Sequence, residues 1–352
     1  MEIGLHAIAG HFASSRRSKN MLTSNQALRR ETENNTDLPI RGDEHLLASG
    51  DSVISRGRNS RLGFADVFDT RRCFLGEGPV SRADEDAVWW VDIVNCCAHW
   101  KSVDGSATGT VEFRSPVSSL LPTVEGDWLV FSENTIDRFD KSFSRSTTLA
   151  SWPHAEKQNT RPRTWRSNDA AVSPQGSVFC GTMPYKPESL PGSAFLYQLD
   201  SEGLHEVVDG VTISNGLGWS TDGRTMFYVD TPTRRVDVFD VDESGRPVNR
   251  RPFVEVPPEW GVPDGLAVDS DNYLWVAMWG GSRVQRFSPD GKPSGFVEVP
   301  CRQVTSCCFV GSDLRQLVIT TASVDCVEDL NAGLTYIFET EVPGQVSALA
   351  IL

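Results

Sequence analysis

Four polar residues stand at one phase of a spacing that recurs along the chain. Glu77 precedes Trp89 by 12 positions, Asn168 precedes Phe179 by 11, Asn215 precedes Phe227 by 12, and Asp264 precedes Trp275 by 11. Glu77, Asn215 and Asp264 offer hard oxygen donors. Two carboxylates and an amide oxygen suit Ca²⁺, Mg²⁺ or Mn²⁺, with water completing the shell. Two carboxylates aimed at one point also repel, unless a cation or a shared proton lies between them. Taken singly, the SNG and PDG tripeptides read as plain turns, because Asn, Asp and Gly tolerate left-handed backbone. Four such settings in phase (GEGP, SND, SNG and PDG) point instead to one shared site.

The elements that must position these residues are strands. Trp89, Trp128, Phe179, Phe227, Trp275 and Val318 follow one another at steps of 39, 51, 48, 48 and 43. Each lies in an apolar, β-type run that leads through a short turn to a second such run. A period near 45 with strands inside each unit is the pattern of a β-propeller. The expectation is therefore an all-β, six-bladed β-propeller over residues 61–352. An extra strand at Phe64–Phe68 would close the ring against Thr335–Phe338. Counting back from each landmark predicts a ring at one rim of the channel: Glu77, Ser118–Ser119, Asn168, Asn215, Asp264 and Thr305–Ser306.

Residues 1–60 are different: rich in Ser, Asn and Arg, without sustained periodicity. They read as a disordered N-terminal extension with a short helix near Asn25–Glu33. The 352-residue chain carries a net charge of −14. Residues 1–60 hold 8 Lys/Arg and 7 Asp/Glu, which leaves −15 for the body. So acidic a body argues against nucleic acid or an anionic membrane as partner, since phosphate binding needs clustered cations. No run approaches 18 apolar residues, and the N-terminus is a poor secretion signal because Glu2 sits in its charged region. The expected state is a cytoplasmic monomer or weak homodimer. The eight Cys show no CxxC or zinc spacing and read as reduced thiols. Within the adjacent pairs Cys96–Cys97 and Cys307–Cys308, alternation predicts that only one member faces the core.

Other chemistries are poorly served. Of the body's His99, His154 and His205, none falls at the axial phase, and there is no GxSxG elbow. The Arg161–Arg166 run reads mostly as a solvated loop. Arg166, two residues before Asn168, should hang over the pocket mouth, and Trp165 beside it reads as packing. The Asp/Gly turns elsewhere read as solvated blade turns.

The segments LGEGPV, RSNDAAVSPQGSVFCGTM, SNGLGWSTDGRTMFYVD, VPDGLAVDSDNYLWVAMWGGSRVQRFSPDG and VTSCCFVGSDLRQLVITTAS resemble the SMP-30/gluconolactonase/LRE-like family, which includes regucalcin. The likeness covers roughly residues 70–335. It implies a six-bladed propeller with one divalent metal in the channel, held by Glu77, Asn215 and Asp264. It also implies substrate contacts from Arg166 and Asn168. Ca²⁺ is the first choice of cofactor, with Mg²⁺, Mn²⁺ or Zn²⁺ as alternatives. Three positions depart from the family pattern. Ser81 replaces an aromatic, Pro184-Tyr185-Lys186 replaces an acidic substrate contact after GTM, and Ala170 replaces a Gly.

The activity so implied is metal-dependent opening of a sugar lactone, such as gluconolactone, to its aldonic acid. Asp264 would orient or deprotonate the attacking water while also touching the metal. These roles conflict, because a bound cation lowers a carboxylate's basicity. Two other readings stay open: a non-catalytic metal- or sugar-binding propeller, and a hydrolase of other esters on the same scaffold.

Overall fold

The innermost strand of each repeat contains the polar position of the ring, and the second carries the bulky landmark. In the computed structural model, which describes residues 59–82, 84–154 and 164–352, these strands form six sheets. Each sheet is a blade. The inner strands are Gly76–Arg82, Val117–Pro122, Trp165–Val172, Ser214–Trp219, Val262–Val268 and Val304–Val310, numbered here as blades 1 to 6. Each packs on the inner strands of both neighbouring blades, and blade 6 meets blade 1, so the ring is closed.

Closure is covalently offset. Blade 6 takes its outer strand from the other end of the chain: Asp66–Asp69 runs antiparallel to Thr335–Glu339, with Val67 opposite Tyr336. The anticipated closing strand is thus present but starts two residues later. Arg61–Phe64 adds instead to the outer edge of blade 5, parallel to Pro293–Glu298. The expected disordered extension falls, except for Asn59 and Ser60, outside the described residues. So does the helix near Asn25–Glu33.

The landmarks all lie on second strands. Ala87–Asp92, Trp128–Ser132, Val178–Pro184 and Leu274–Trp279 are buried along their whole length. A strand covered on both faces reads as a continuous apolar run, not as an alternation. The core is accordingly divided into six apolar clusters, mostly one between each pair of adjacent blades. Between blades 1 and 2, Trp89 and Trp128 meet with ring centroids 4.9 Å apart.

The same two-sided burial corrects the expectation for Cys307–Cys308. Both are buried, at 3% and 9% exposure. Cys307 enters the cluster shared with blade 5, and Cys308 the cluster shared with blade 1. Alternation holds, but an inner strand has a core on either side. All eight cysteines are free. Among the described residues no helix is long and apolar enough to cross a membrane.

The C-terminal segment is a strap that the repeat pattern does not reveal. Gly344 N–H donates to Leu314 in blade 6, and Gln345 Nε2 to the Trp219 carbonyl in blade 4. Ile351 N–H reaches Gly176 in blade 3, and Ala350 N–H reaches Pro122 in blade 2.

The strand Asp66–Asp69 should decide whether the ring holds. A chain beginning at residue 71 should melt at least about 10 °C below one beginning at Ala65, both of which lack Arg61–Phe64. Equal melting temperatures by circular dichroism would show that blade 6 does not need its outer strand.

Candidate functional site

Every inner strand loses register with its partner at the ring position. The shifts fall at Glu77/Val80, Val117/Ser119, Ser167/Ala170, Ser214/Leu217, Pro263/Leu266 and Val304/Ser306. An extra residue in one strand bends it and re-aims a side chain that the pleat would otherwise send sideways. This sixfold irregularity positions Glu77, Asn168, Asn215 and Asp264 at the channel. It also corrects the turn reading of SNG and PDG, which lie inside strands. Their glycines are there for close approach. A Cβ on Gly216 would sit 2.6 Å from the Asp264 carbonyl oxygen, and one on Gly265 would sit 2.1 Å from Ser306 Oγ.

Glu77, Arg166, Asn168, Asn215 and Asp264 share one cavity of about 190 Å³. Leu75, Met183, Ile213, Val262 and Trp279 give it apolar walls, and Thr231 and Arg234 add polar groups. The polar side chains are ordered by one directional chain of hydrogen bonds. Arg166 donates to Asn168 Oδ1 (2.7 Å), and Asn168 Nδ2 donates to Asn215 Oδ1 (2.8 Å). Asn215 Nδ2 donates to Thr231 Oγ1 (2.7 Å), which donates to the Pro263 carbonyl (2.9 Å). The chain spans blades 3, 4 and 5. Because Asn215 spends its N–H on Thr231, its oxygen is the end turned toward Asn168. A carbonyl oxygen has two lone pairs, so that oxygen retains one for a further partner.

The acids are electrostatically unsettled. Burial pushes Glu77 up to about 8, helped by the charge of Asp169. Burial raises Asp264 well above the carboxylate range too, with Glu77 and then Asp169 adding to it and Arg166 opposing. Asp264 is buried and Glu77 half-buried, and of the two guanidinium groups lining the cavity only Arg166 offsets their charge, so ionising both acids together is costly. A divalent cation fits this set: Glu77 and Asp264 would supply charge, and Asn215 an oxygen already oriented by the hydrogen-bond chain.

The remaining ring positions behave differently. Ser118 Oγ donates to Ser167 Oγ, and Thr305 Oγ1 to the Gly76 carbonyl; neither lines the cavity. Arg166 does not overhang the mouth. It is only 4% exposed, and its guanidinium folds back onto the Ser167 carbonyl and Asn168. Arg161, in the same run, lies outside the described residues. Trp165 packs as expected, stacked on His154 with its indole N–H on Ser193. Ser81 lies outside the cavity, toward the other end of its strand, so its departure from the family pattern does not touch this pocket. Tyr185 is buried with its hydroxyl on Glu133 Oε1 (2.5 Å), and Lys186 is exposed.

Three residues escaped the sequence reading. Thr231 and Arg234 sit on the loop after the second strand of blade 4, where the repeat phase has no marker. Asp169 follows Asn168 directly, and the bulge turns it to a second cavity, of about 230 Å³, at the other end of the channel. Burial raises it to about 6. The signal was available: SND is the one ring motif in which a carboxylate directly follows the ring residue.

These shifts make stability depend on pH. A folded-state carboxyl raised above its unfolded value keeps a proton that the unfolded chain has lost, so stability falls as pH rises between the two values. For Glu77 that window runs from 4.5 to about 8. Buried His99 and half-buried His154, whose values are lowered, give the opposite slope below 6.5. The readout is therefore a difference. In cation-free protein, the urea-unfolding stability of wild type minus that of Glu77→Gln should decline from pH 4.5 to pH 8. A flat or rising difference would contradict the burial argument.

The profile of the SMP-30/gluconolactonase/LRE-like region matches residues 75–323. A pentonolactonase of Haloferax volcanii is 35% identical over 261 residues, covering 74% of this chain and 85% of its own. Regucalcin of Gallus gallus is 35% identical over 260 residues, 71% of this chain and 83% of its own. Among solved structures, a calcium-binding regucalcin of Agrobacterium tumefaciens superposes with a TM-score of 0.77 at 26% identity. It covers 83% of this chain and 99% of that one. The ring of blades, the bulged inner strands and the extent of these matches agree: the chain belongs to the SMP-30/gluconolactonase/LRE-like family.

Proposed function

We propose that the protein is a divalent-metal-dependent lactonase that opens a sugar lactone to its hydroxy acid. One observation carries the reading. Glu77, Asn215 and Asp264 line one cavity, and the hydrogen-bond chain through Asn168 and Thr231 fixes the Asn215 amide so that its oxygen, with a lone pair to spare, is the end on the Asn168 side. The kinship with a pentonolactonase supports the choice of substrate class, and that with a calcium-binding regucalcin supports Ca²⁺ as the ion.

Glu77, Asn215 and Asp264 hold the cation, which when bound supplies Lewis-acid polarisation of the lactone carbonyl. The chain's own groups do the rest. Asp264 faces the cavity and places the attacking water by accepting one of its protons in a hydrogen bond. Water adds to the carbonyl carbon, the ring C–O bond breaks, and the departing ring oxygen takes up a proton to become a hydroxyl. Arg166 is a buried donor lining the same cavity and holds the ring hydroxyls of the bound lactone. Asn168 links Arg166 to Asn215, so it aligns the binding and metal-holding groups with each other. The apolar wall of Leu75, Met183, Ile213 and Val262 covers the C–H face of a ring and excludes bulk water.

The test is a pH-indicator hydrolysis assay on protein stripped with EDTA. A panel of aldonolactones is offered, with Ca²⁺, Mg²⁺, Mn²⁺ or Zn²⁺ restored singly and Asp264→Ala as the blank for spontaneous opening. Metal-restored turnover is expected, falling by at least about 100-fold in Glu77→Gln and Asp264→Asn. Arg166→Ala should act mainly by raising KM, and unchanged kinetics would remove Arg166 from the site. Rates equal to the blank with every ion would overturn the lactonase reading in favour of a binding protein.

A further inference from the structure

The side chains around the candidate metal site stand in two tiers. Glu77, Asn168, Asn215 and Asp264 form the floor of the cavity. Two positions upstream of them come Leu75, Arg166, Ile213 and Val262, and all four line the same cavity. Side chains two apart in an extended segment share one face. Residues downstream of the ring, such as Val80, Val172, Leu217 and Val268, line the far cavity instead. The upstream set is therefore a collar one step nearer the near end of the channel. The second strands repeat its composition, since Met183 stands opposite Arg166 and Trp279 opposite Val262, and both are on the wall.

The collar is apolar on three blades and polar on one. Arg166 is its single polar member from an inner strand. Thr231 and Arg234 also line the cavity, but both are engaged within the protein. Thr231 Oγ1 accepts from Asn215 and donates to the Pro263 carbonyl, and Arg234 NH2 donates to the Gly261 carbonyl (2.6 Å). Val262 is half-buried and Pro232 exposed, so apolar carbon is accessible on this wall. A hydroxyl laid against Leu75, Ile213 or Val262 would leave water and find no side-chain partner, which costs affinity. A methyl group in the same place gains by its burial.

A lactone carbonyl held at the floor leaves the rest of the ring, and the tail on the carbon that bears the ring oxygen, at the level of the collar. We propose that the collar selects lactones whose tail ends in an alkyl group and not in a hydroxymethyl, so that the preferred substrate is a terminally deoxygenated sugar lactone. The reaction rests on the lactonase reading; the choice of tail rests on Leu75, Ile213 and Val262.

The experiment compares kcat/KM of metal-loaded protein within two matched pairs. L-rhamnono-1,4-lactone and L-mannono-1,4-lactone differ only in the terminal hydroxyl. γ-Hexalactone and γ-hydroxymethyl-γ-butyrolactone, both racemic, exchange a terminal methyl for a hydroxyl and presuppose no sugar configuration. The methyl-ended member should be favoured about tenfold in each pair that is hydrolysed. Val262→Thr keeps the shape of the side chain and adds a hydroxyl, so it should shrink that ratio through KM and leave kcat in place. Ile213→Thr should act in the same direction. Equal kcat/KM within the pairs, or a preference for the hydroxyl-ended member, overturns the proposal, as does a methyl preference that both variants leave unchanged. If no lactone is hydrolysed, the lactonase reading falls, and calorimetric binding of L-rhamnonate and L-mannonate to calcium-loaded protein decides the collar alone. Tighter rhamnonate, with the difference reduced in Val262→Thr, upholds it; equal affinities, or no binding of either acid, overturn it.

Discussion

The closeness with which six inner strands meet around the channel is the constraint on which the rest depends. Blades 4, 5 and 6 approach so nearly that no Cβ fits at Gly216 or Gly265. Strands packed this tightly leave no room for a regular pleat of bulky side chains at the centre. Each inner strand relieves the crowding with a bulge, and the residues at the bulges are those whose side chains enter the channel. Polar groups placed there lose water by geometry. Glu77 and Asp264 therefore sit as acids that hold their protons far above the usual range until a counter-charge arrives.

The hydrogen-bond chain from Arg166 to the Pro263 carbonyl turns that crowding into orientation. Each member has its donor and acceptor ends committed in one direction, so the Asn215 amide is set by Arg166 at one end and by Thr231 at the other. The ordering crosses three blades, which makes the site a property of the closed ring and not of any single repeat. On the other side of the bulges lies the far cavity, with Asp169 on its wall and the C-terminal strap residues Gln345–Ala348 also lining it. The two cavities communicate electrostatically, since the charge of Asp169 raises both Glu77 and Asp264.

Much of this was legible in the repeat phase, because a propeller places equivalent residues at equivalent heights. The landmarks from Trp89 to Val318 mark second strands correctly, and counting back finds Glu77, Asn168, Asn215 and Asp264 in one cavity. What the phase could not show are features outside the repeat. Arg234 and Thr231 lie on an inter-strand loop, and the strap Gln345–Ile351 has no counterpart in any blade. SNG and PDG mark the site correctly but not their local form, which is strand and not turn: glycine serves a turn by its conformational freedom and a crowded strand, as at Gly216 and Gly265, by its missing Cβ. The burial of both Cys307 and Cys308 was hidden by the assumption of a single core face. An inner strand has two.

The central claim is that Glu77, Asn215 and Asp264 form a site for one divalent cation, reached by displacing protons from the cavity's carboxyls. Calorimetric titration of Ca²⁺ into stripped protein at pH 7, repeated in two buffers of different ionisation enthalpy, tests it directly. The account predicts one ion per chain, a net release of protons, and less release from Glu77→Gln than from wild type. Binding without proton release, or binding of the same strength in Glu77→Gln and Asp264→Asn, would contradict it.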